Sequence, residues 1–374
     1  MKFVRQTTVS RTVSAFTGIF RGVSTRRDSR ARNVVPRGIP TPLVELSAVN
    51  EDTIENIQNW RVWAREQAHQ ATTTGFQHVD SPGLNNLFDE IDWLLQDNVD
   101  EANHVSRTLS VRSASHSQTG KVKVRLSLSE LGFLWQRRLQ ERVPLQYLTH
   151  MAYWRDFSLV ITPDVLIPRP ETELLVDFAL QAQQKWKCSG LALAEGPWLD
   201  MGTGSGAIAI GIVKAFIAKG LNPNPVVHAV DVCPKVCVLA QHNSVRNGVQ
   251  NNIKVTQGSW FNALGSAEIK FSGIVSNPPY IPSEEMYCLQ PEVLEHEPLL
   301  ALDGGSGSGT ESLVDVCFGA SIQLQHGGFL ALETLGDEQS KLVRDVLLSM
   351  GSFRKIEILQ DYTGIKRFVT AIRL

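Results

Sequence analysis

The spacing of apolar residues changes along the chain, and the change divides it into regions. Between 41 and 142 apolar positions recur every three or four residues. In "TIENIQNWRVWAREQA" (53–68), Ile54, Ile57, Trp60 and Ala64 fall on one stripe, the pattern of a helix with one buried face. "LNNLFDEIDWLL" (84–95) repeats it with Leu84, Leu87, Phe88, Ile91 and Leu95. A third helix is predicted over "SLSELGFLWQRRLQER" (127–142), with Ser127 or Ser129 as its N-cap. Between the last two lies a polar stretch, "NHVSRTLSVRSASHSQTG", which predicts a loop. The pattern is that of a small helical domain with one long insertion. Trp60, Trp63, Trp93 and Trp135 are expected in its core.

Past residue 150 the period shortens. "MAYWRDFSLVITPDVLI" (151–167) is rich in β-formers and carries a Pro-Asp turn, so it reads as a hairpin joining two domains. A helix is expected to follow, with Pro170 in its first turn and Glu171 and Glu173 at its positive end. Strand and helix patterns then alternate. The strands are "PWLDMG", "VVHAVD", "IKVTQG", "SGIVSN", "GGFLALE", "FRKIEIL" and "KRFVTAIRL". Such alternation predicts an α/β fold, a mostly parallel seven-stranded sheet with helices on both faces. Only "QDYTGI" separates the final two strands, too short for a crossover helix, so that pair is expected to be antiparallel.

Composition narrows the class. The chain has 374 residues, 43% hydrophobic and 20% charged, with a net charge of −2, which fits a globular protein with a sizeable core. A pI near 6.5 gives no basic field for generic nucleic-acid binding. Five scattered cysteines without a C-x-x-C pair argue against a disulfide framework and a zinc site. No apolar run is long enough for a membrane span. Residues 1–40 differ from the rest: Arg5, Arg11, Arg21, Arg26, Arg27, Arg30, Arg32 and Arg37 stand among Ser, Thr and Val, with Asp28 the only acid. That is the composition of a transit peptide, for mitochondrion or plastid; the plainer alternative is a basic tail.

Three stretches could carry chemistry. In "LDMGTGSGA" (199–207) a strand runs through a glycine loop into a helix. Gly202, Thr203, Gly204, Ser205 and Gly206 would bring backbone N–H groups up to a ligand at a helix N-terminus, which suits an adenosine-containing cofactor. Asp231 ends the next strand, where an acid accepts hydrogen bonds from ribose hydroxyls or braces the following helix. "IVSNPPYIP" (274–282) follows the fourth strand, at the carboxyl edge where open α/β sheets bind ligands. Asn277 offers an acceptor and a donor. Pro278 and Pro279 fix an extended path and supply no N–H. Tyr280 supplies a flat face. Together they suit a planar amino or amide group. "GGSGSG" (304–309) reads as a flexible connection. His228, His242 and His296 lack ligand spacing, and no metal site is expected. Asp200 reads equally as a brace or a cofactor contact.

These stretches together resemble the class I S-adenosylmethionine-dependent methyltransferases. "VLIPRPETELLVD" (165–177), "GSWFNAL" (258–264) and "EPLLALDGGSGSG" (297–309), in order with the other two, narrow the resemblance to the HemK/PrmC family over about residues 130–374. That resemblance implies methylation of the glutamine amide in the Gly-Gly-Gln motif of class I peptide-chain release factors. It implies Gly202–Gly206 at the methionine part of S-adenosylmethionine, Asp231 at the ribose, Trp260 at the adenine and Asn277–Tyr280 at the substrate glutamine, with Asn277 also touching the cofactor and Asn277, Pro278 and Tyr280 catalytic. Ser259 departs from the family, where Asp is frequent. The implied layout is a transit peptide at 1–40, a release-factor-binding helical domain at 41–150, a hairpin linker at 151–167 and a methyltransferase domain at 168–374. The expected partner is the protein substrate, without nucleic acid or membrane, and the enzyme is expected to be a monomer. Two other enzymes fit part of the pattern. A DNA or RNA adenine-N6 methyltransferase would use the 277–280 motif but lacks a basic target-reading region. An NAD-dependent oxidoreductase would leave that motif unused.

Overall fold

The computed structural model describes residues 38–74, 82–100, 120–265 and 269–374, which fall within one compact unit, Pro36–Leu374. Most of the Arg-rich start and most of the polar stretch before residue 120 lie outside the described residues. The first layer holds β1 (Asn50–Thr53), α1 (Ile54–Thr74), α2 (Leu84–Asn98), β2 (Lys121–Val124) and α3 (Leu128–Gln140). The predicted stripes are its core: Ile57, Trp60, Ala64, Leu87, Ile91 and Leu95 are all buried. Ser127, not Ser129, caps α3, in a reciprocal capping box with Glu130. Trp135 is fully buried and its indole N–H donates to the Ala64 carbonyl at 3.0 Å. Trp93 departs from expectation and is 54% exposed, because it lies off the stripe that faces α1. The antiparallel pair β1–β2 was not foreseen: four residues reading Asn-Glu-Asp-Thr have no strand pattern, and long-range pairing alone makes them one.

A short helix, α4 (Leu145–Thr149), leads into β3 (Met151–Trp154) and β4 (Phe157–Val160). These form the expected hairpin, but Arg155 and Asp156 make its turn, with Arg155 at φ 52°. Pro163-Asp164 turns the chain again only after β4. The next helix, α5 (Glu173–Cys188), begins three residues later than Pro170, which heads the turn just before it.

The remaining elements are β5 (Trp198–Met201), α6 (Ala207–Ala218), β6 (Val227–Asp231), α7 (Pro234–Arg246), β7 (Ile253–Gln257), β8 (Phe271–Ser276), α8 (Pro291–Leu294), α9 (Glu311–Gln323), β9 (Leu324–Glu333), α10 (Asp337–Ser349), β10 (Phe353–Gln360) and β11 (Lys366–Arg373). The sheet has seven strands in the order β10-β11-β9-β8-β5-β6-β7. β7, β6, β5, β8 and β9 are parallel, while β11 runs antiparallel to both β9 and β10. The period-two alternation sorts each strand between two cores. Trp198, Val275, Ala331 and Phe368 pack with residues of α5, α6 and α7 on one face. Leu199, Ile274, Leu332 and Val369 pack with α9 and α10 on the other.

A buried ion network joins the helical layer to the segment after β8. Arg138 on α3 donates to both Glu90 oxygens at 2.6 and 2.9 Å and to Glu292 on α8 at 3.0 Å. Arg142 holds Glu292 through two bonds, of 2.7 and 2.6 Å. Burial alone would raise the Glu292 carboxyl, but the bonds from the two arginines hold it below its usual range. Glu292→Ala should therefore cost about 1–3 kcal/mol, because both arginines lose a shared charged acceptor while Arg138 keeps Glu90. Urea denaturation followed by circular dichroism measures that loss.

Candidate functional site

Strand order reverses between β5 and β8: from β5 the chain winds outward through β6 and β7, then returns to β8 on the opposite side. Loops leaving the carboxyl ends of β5 and β8 therefore diverge and leave a crevice. A cavity of about 450 Å³ lies there, within the range of small-ligand sites. Its wall includes Thr172, the loop 201–205, Asp231, Trp260, Asn277 and Pro279. Of the residues singled out in the sequence, Gly202, Thr203, Gly204, Ser205, Asp231, Trp260, Asn277 and Pro279 line it. Gly206, Pro278 and Tyr280 do not.

The loop after β5 needs its glycines. Gly202, Gly204 and Gly206 sit at φ 76°, 55° and 86°, in the left-handed region. Asp200 is the brace of this turn, not a wall of the cavity. It is fully buried, and its Oδ2 accepts from the Thr203 hydroxyl at 2.7 Å and the Ala209 N–H at 3.1 Å. Burial pushes its carboxyl up to about 7. Asp231 accepts from the Gly204 N–H and the Cys233 N–H, each at 3.0 Å. It thus ties the glycine loop to the start of α7 while its carboxylate borders the cavity. Asn243, wholly buried on α7, donates to the carbonyls of Ser205 and Val160.

The segment 277–280 is held from behind. The Asn277 side-chain nitrogen donates to the Thr172 Oγ1 at 3.2 Å. The Thr172 hydroxyl donates to Glu333 Oε2 at 2.7 Å, and the Tyr280 hydroxyl to Glu333 Oε1 at 3.2 Å. Glu333 ends β9 and is 1% exposed. The Asn277 Oδ1 has no hydrogen bond to any described residue. The sequence reading of 304–309 as a flexible connection is overturned. Gly304 N–H donates to the Ile281 carbonyl and Gly305 accepts from Ser283 N–H. The Gln339 amide donates to the carbonyls of Tyr280, Ser308 and Gly309 at 2.8, 2.8 and 3.2 Å. The glycines are needed for close approach: a Cβ on Gly304 would come within 2.6 Å of the Tyr280 Cα.

Two motifs far apart in sequence meet at the rim. Arg169 pairs with Glu297 at 2.6 Å, and Glu297 also accepts from the Ile167 N–H at 3.3 Å. Trp260 reaches the cavity from a left-handed position, φ 45°, an unfavourable conformation for a bulky residue that its surroundings must impose. Sequence reasoning missed Thr172 as a cavity residue and gave no role to Glu333, Asn243 or Gln339. Thr172 lay within the motif already singled out; the other three carry no local signal.

No family model matches the chain. A release factor glutamine methyltransferase from Thermosynechococcus vestitus is 41% identical over 251 residues, 67% of this chain and 81% of that protein. Another with the same name, from Synechocystis sp., is 38% identical over 283 residues, 75% of this chain and 89% of its own. Among solved structures, a methyltransferase from Pyrococcus furiosus covers 66% of this chain and 98% of its own length, at 17% identity and a TM-score of 0.35.

The geometry separates two kinds of glycine. At Gly204 a Cβ would meet nothing within 4 Å, so Gly204→Ala should cost about 1–2 kcal/mol from left-handed strain alone. Gly304→Ala should cost more, because its methyl overlaps the Tyr280 main chain. Thermal denaturation of the two variants side by side checks the ranking.

Proposed function

This chain belongs to the release factor glutamine methyltransferase family, and we propose that its cavity presents the glutamine of a Gly-Gly-Gln loop to S-adenosylmethionine. The enzyme methylates the side-chain amide nitrogen of a release-factor glutamine. The relatives favour this reading over adenine methylation and over nicotinamide chemistry. The observation that carries the substrate assignment is the state of Asn277. Its nitrogen is committed to Thr172, so its free oxygen is an acceptor at the edge of the cavity, beside the glycine loop.

The residues present fit S-adenosylmethionine. Left-handed glycines give a backbone cradle at the start of α6, Asp231 offers carboxylate oxygens suited to ribose hydroxyls, and Trp260 offers a ring suited to adenine. When bound, this cofactor supplies an electrophilic methyl group on a positively charged sulfur. The protein's part is positioning and electrostatics. An amide nitrogen is a weak nucleophile, because its lone pair is delocalised into the carbonyl. The Asn277 Oδ1 accepts one N–H of the guest amide. Pro278 and Pro279 have no N–H to compete for that oxygen. A fixed acceptor orients the amide plane and stabilises the positive charge its nitrogen gains. Tyr280, anchored at its hydroxyl by Glu333, stiffens the loop that carries it. A strong base is not required, since an amide methylated on nitrogen is very acidic before it loses its proton.

The test is mass spectrometry of a class I release factor incubated with the enzyme and S-adenosylmethionine. One added methyl on the Gly-Gly-Gln glutamine is expected. Asn277→Ala should lower turnover by about a hundredfold, while S-adenosylhomocysteine still raises the melting temperature. An undiminished rate would sink the role given to Asn277.

The Arg-rich, acid-poor composition of residues 1–40 supports a second proposal, that they direct the protein to mitochondrion or plastid. We read the enzyme as a monomer whose partner is the release factor itself, with neither nucleic acid nor membrane engaged. No helix among the described residues is long and apolar enough to cross a membrane. Residues 1–40 fused to a fluorescent protein should move it into one of those organelles. A fusion that stays diffuse in the cytosol would refute targeting.

A further inference from the structure

Glu333 is the least explained charged group near the site. It is 1% exposed at the carboxyl end of β9, and no arginine or lysine hydrogen-bonds to it. A carboxylate in such a place is costly to desolvate, and it does not line the cavity. Its two partners are the hydroxyls of Thr172 and Tyr280. Arg367 on the neighbouring β11 attracts it without a hydrogen bond, its own ion pair being with Asp361 at 2.6 Å.

While Glu333 is ionised, the directions of these bonds are forced. An ionised carboxylate only accepts. The single hydroxyl hydrogen of Thr172 therefore goes to Glu333, and the Thr172 oxygen can offer Asn277 nothing but a lone pair. Asn277 must answer with its NH2, and its carbonyl oxygen is left for the cavity. Without a fixed acceptor behind it, the Thr172 hydroxyl could turn its hydrogen to Asn277. The Asn277 amide would then flip, presenting a donor where the substrate N–H needs an acceptor.

We propose that Glu333 is a positioning residue which, through Thr172, locks the Asn277 side chain with its oxygen toward the substrate amide. This rests on the role given to Asn277 above. Burial pushes the Glu333 carboxyl up to about 7. The charged groups facing it are Arg367, which favours the carboxylate, and Glu171, which opposes it; Arg169 faces Tyr280, whose phenol burial keeps protonated. Protonation at Oε2, the oxygen that faces Thr172, would turn that acceptor into a donor and unlock the relay. The wild-type kcat should therefore fall as pH drops through about 7.

The experiment measures methylation of a class I release factor by the full chain. Glu333→Gln should lower kcat by about tenfold, short of the hundredfold that an ångström of misplacement costs, and should remove the kcat step near pH 7. The release-factor KM and the melting shift given by S-adenosylhomocysteine should not change. Thr172→Val should lower kcat similarly, and Thr172→Ser should restore it. In an Asn277→Ala background, Glu333→Gln should have no further effect. A wild-type kcat and pH profile in Glu333→Gln would overturn the proposal, as would equal rates for Thr172→Val and wild type, or a full multiplicative loss in the double variant. Should Glu333→Gln fail to fold, the Thr172 pair decides the matter. Full activity of Asn277→Ala alone would instead overturn the reading of Asn277 on which this rests.

Discussion

The reversal of strand order between β5 and β8 is the constraint on which the site depends. Parallel strands send all their carboxyl ends to one rim. Loops from neighbouring strands normally crowd one another there. Only where the winding changes direction do two adjacent loops turn apart and leave space. The glycine loop follows β5 and the Asn-Pro-Pro-Tyr segment follows β8, so both face the same gap. Neither side of the cavity would exist in a sheet that wound one way.

A gap between loops is not yet a site, because irregular backbone does not hold itself in place. Residues 277–309 contain little regular structure, yet they are fixed by long-range polar ties. Arg169 grips Glu297, Gln339 bonds three carbonyls, and Arg138 with Arg142 grips Glu292. Each tie satisfies groups that burial would otherwise leave unpaired. Their partners lie on or just past α3, on α10 and in the turn before α5, so the helical layer and the α/β layer both restrain the Asn-Pro-Pro-Tyr side. The same logic explains Gly304 and Gly309: they permit the main chain of one loop to lie against that of another, where a side chain would push them apart.

The glycine-loop side and the Asn-Pro-Pro-Tyr side of the cavity differ in how they are built. The glycine-loop side is local. Asp200, the three left-handed glycines and Asp231 lie within one strand-loop-helix unit and the strand after it. The Asn-Pro-Pro-Tyr side is assembled from separate places in the chain: Thr172, Asn277 with Tyr280, Glu333 and Gln339. The hydroxyls of Thr172 and Tyr280 on this side converge on one buried carboxylate, that of Glu333.

Much of this was legible in the residues alone. Helical stripes, seven strands, the antiparallel final pair and the order strand–glycine loop–helix all rest on short-range periodicity and turn chemistry, which a chain carries wherever it folds. The positions of Gly202, Asp231 and Asn277 at strand ends followed from that pattern, as did the chemistry their side chains suit. The tertiary structure decided the rest. It made strands of Asn50–Thr53 and Lys121–Val124, left Trp93 in solvent, and turned 304–309 from an apparent connector into a clamp. It also brought Thr172, Asn277 and Glu333 to one point across 161 residues. Periodicity records which way a residue faces within its own element. Which distant polar group it meets there depends on the three-dimensional path of the chain, and for a buried carboxylate such as Glu333 that meeting shifts its titration.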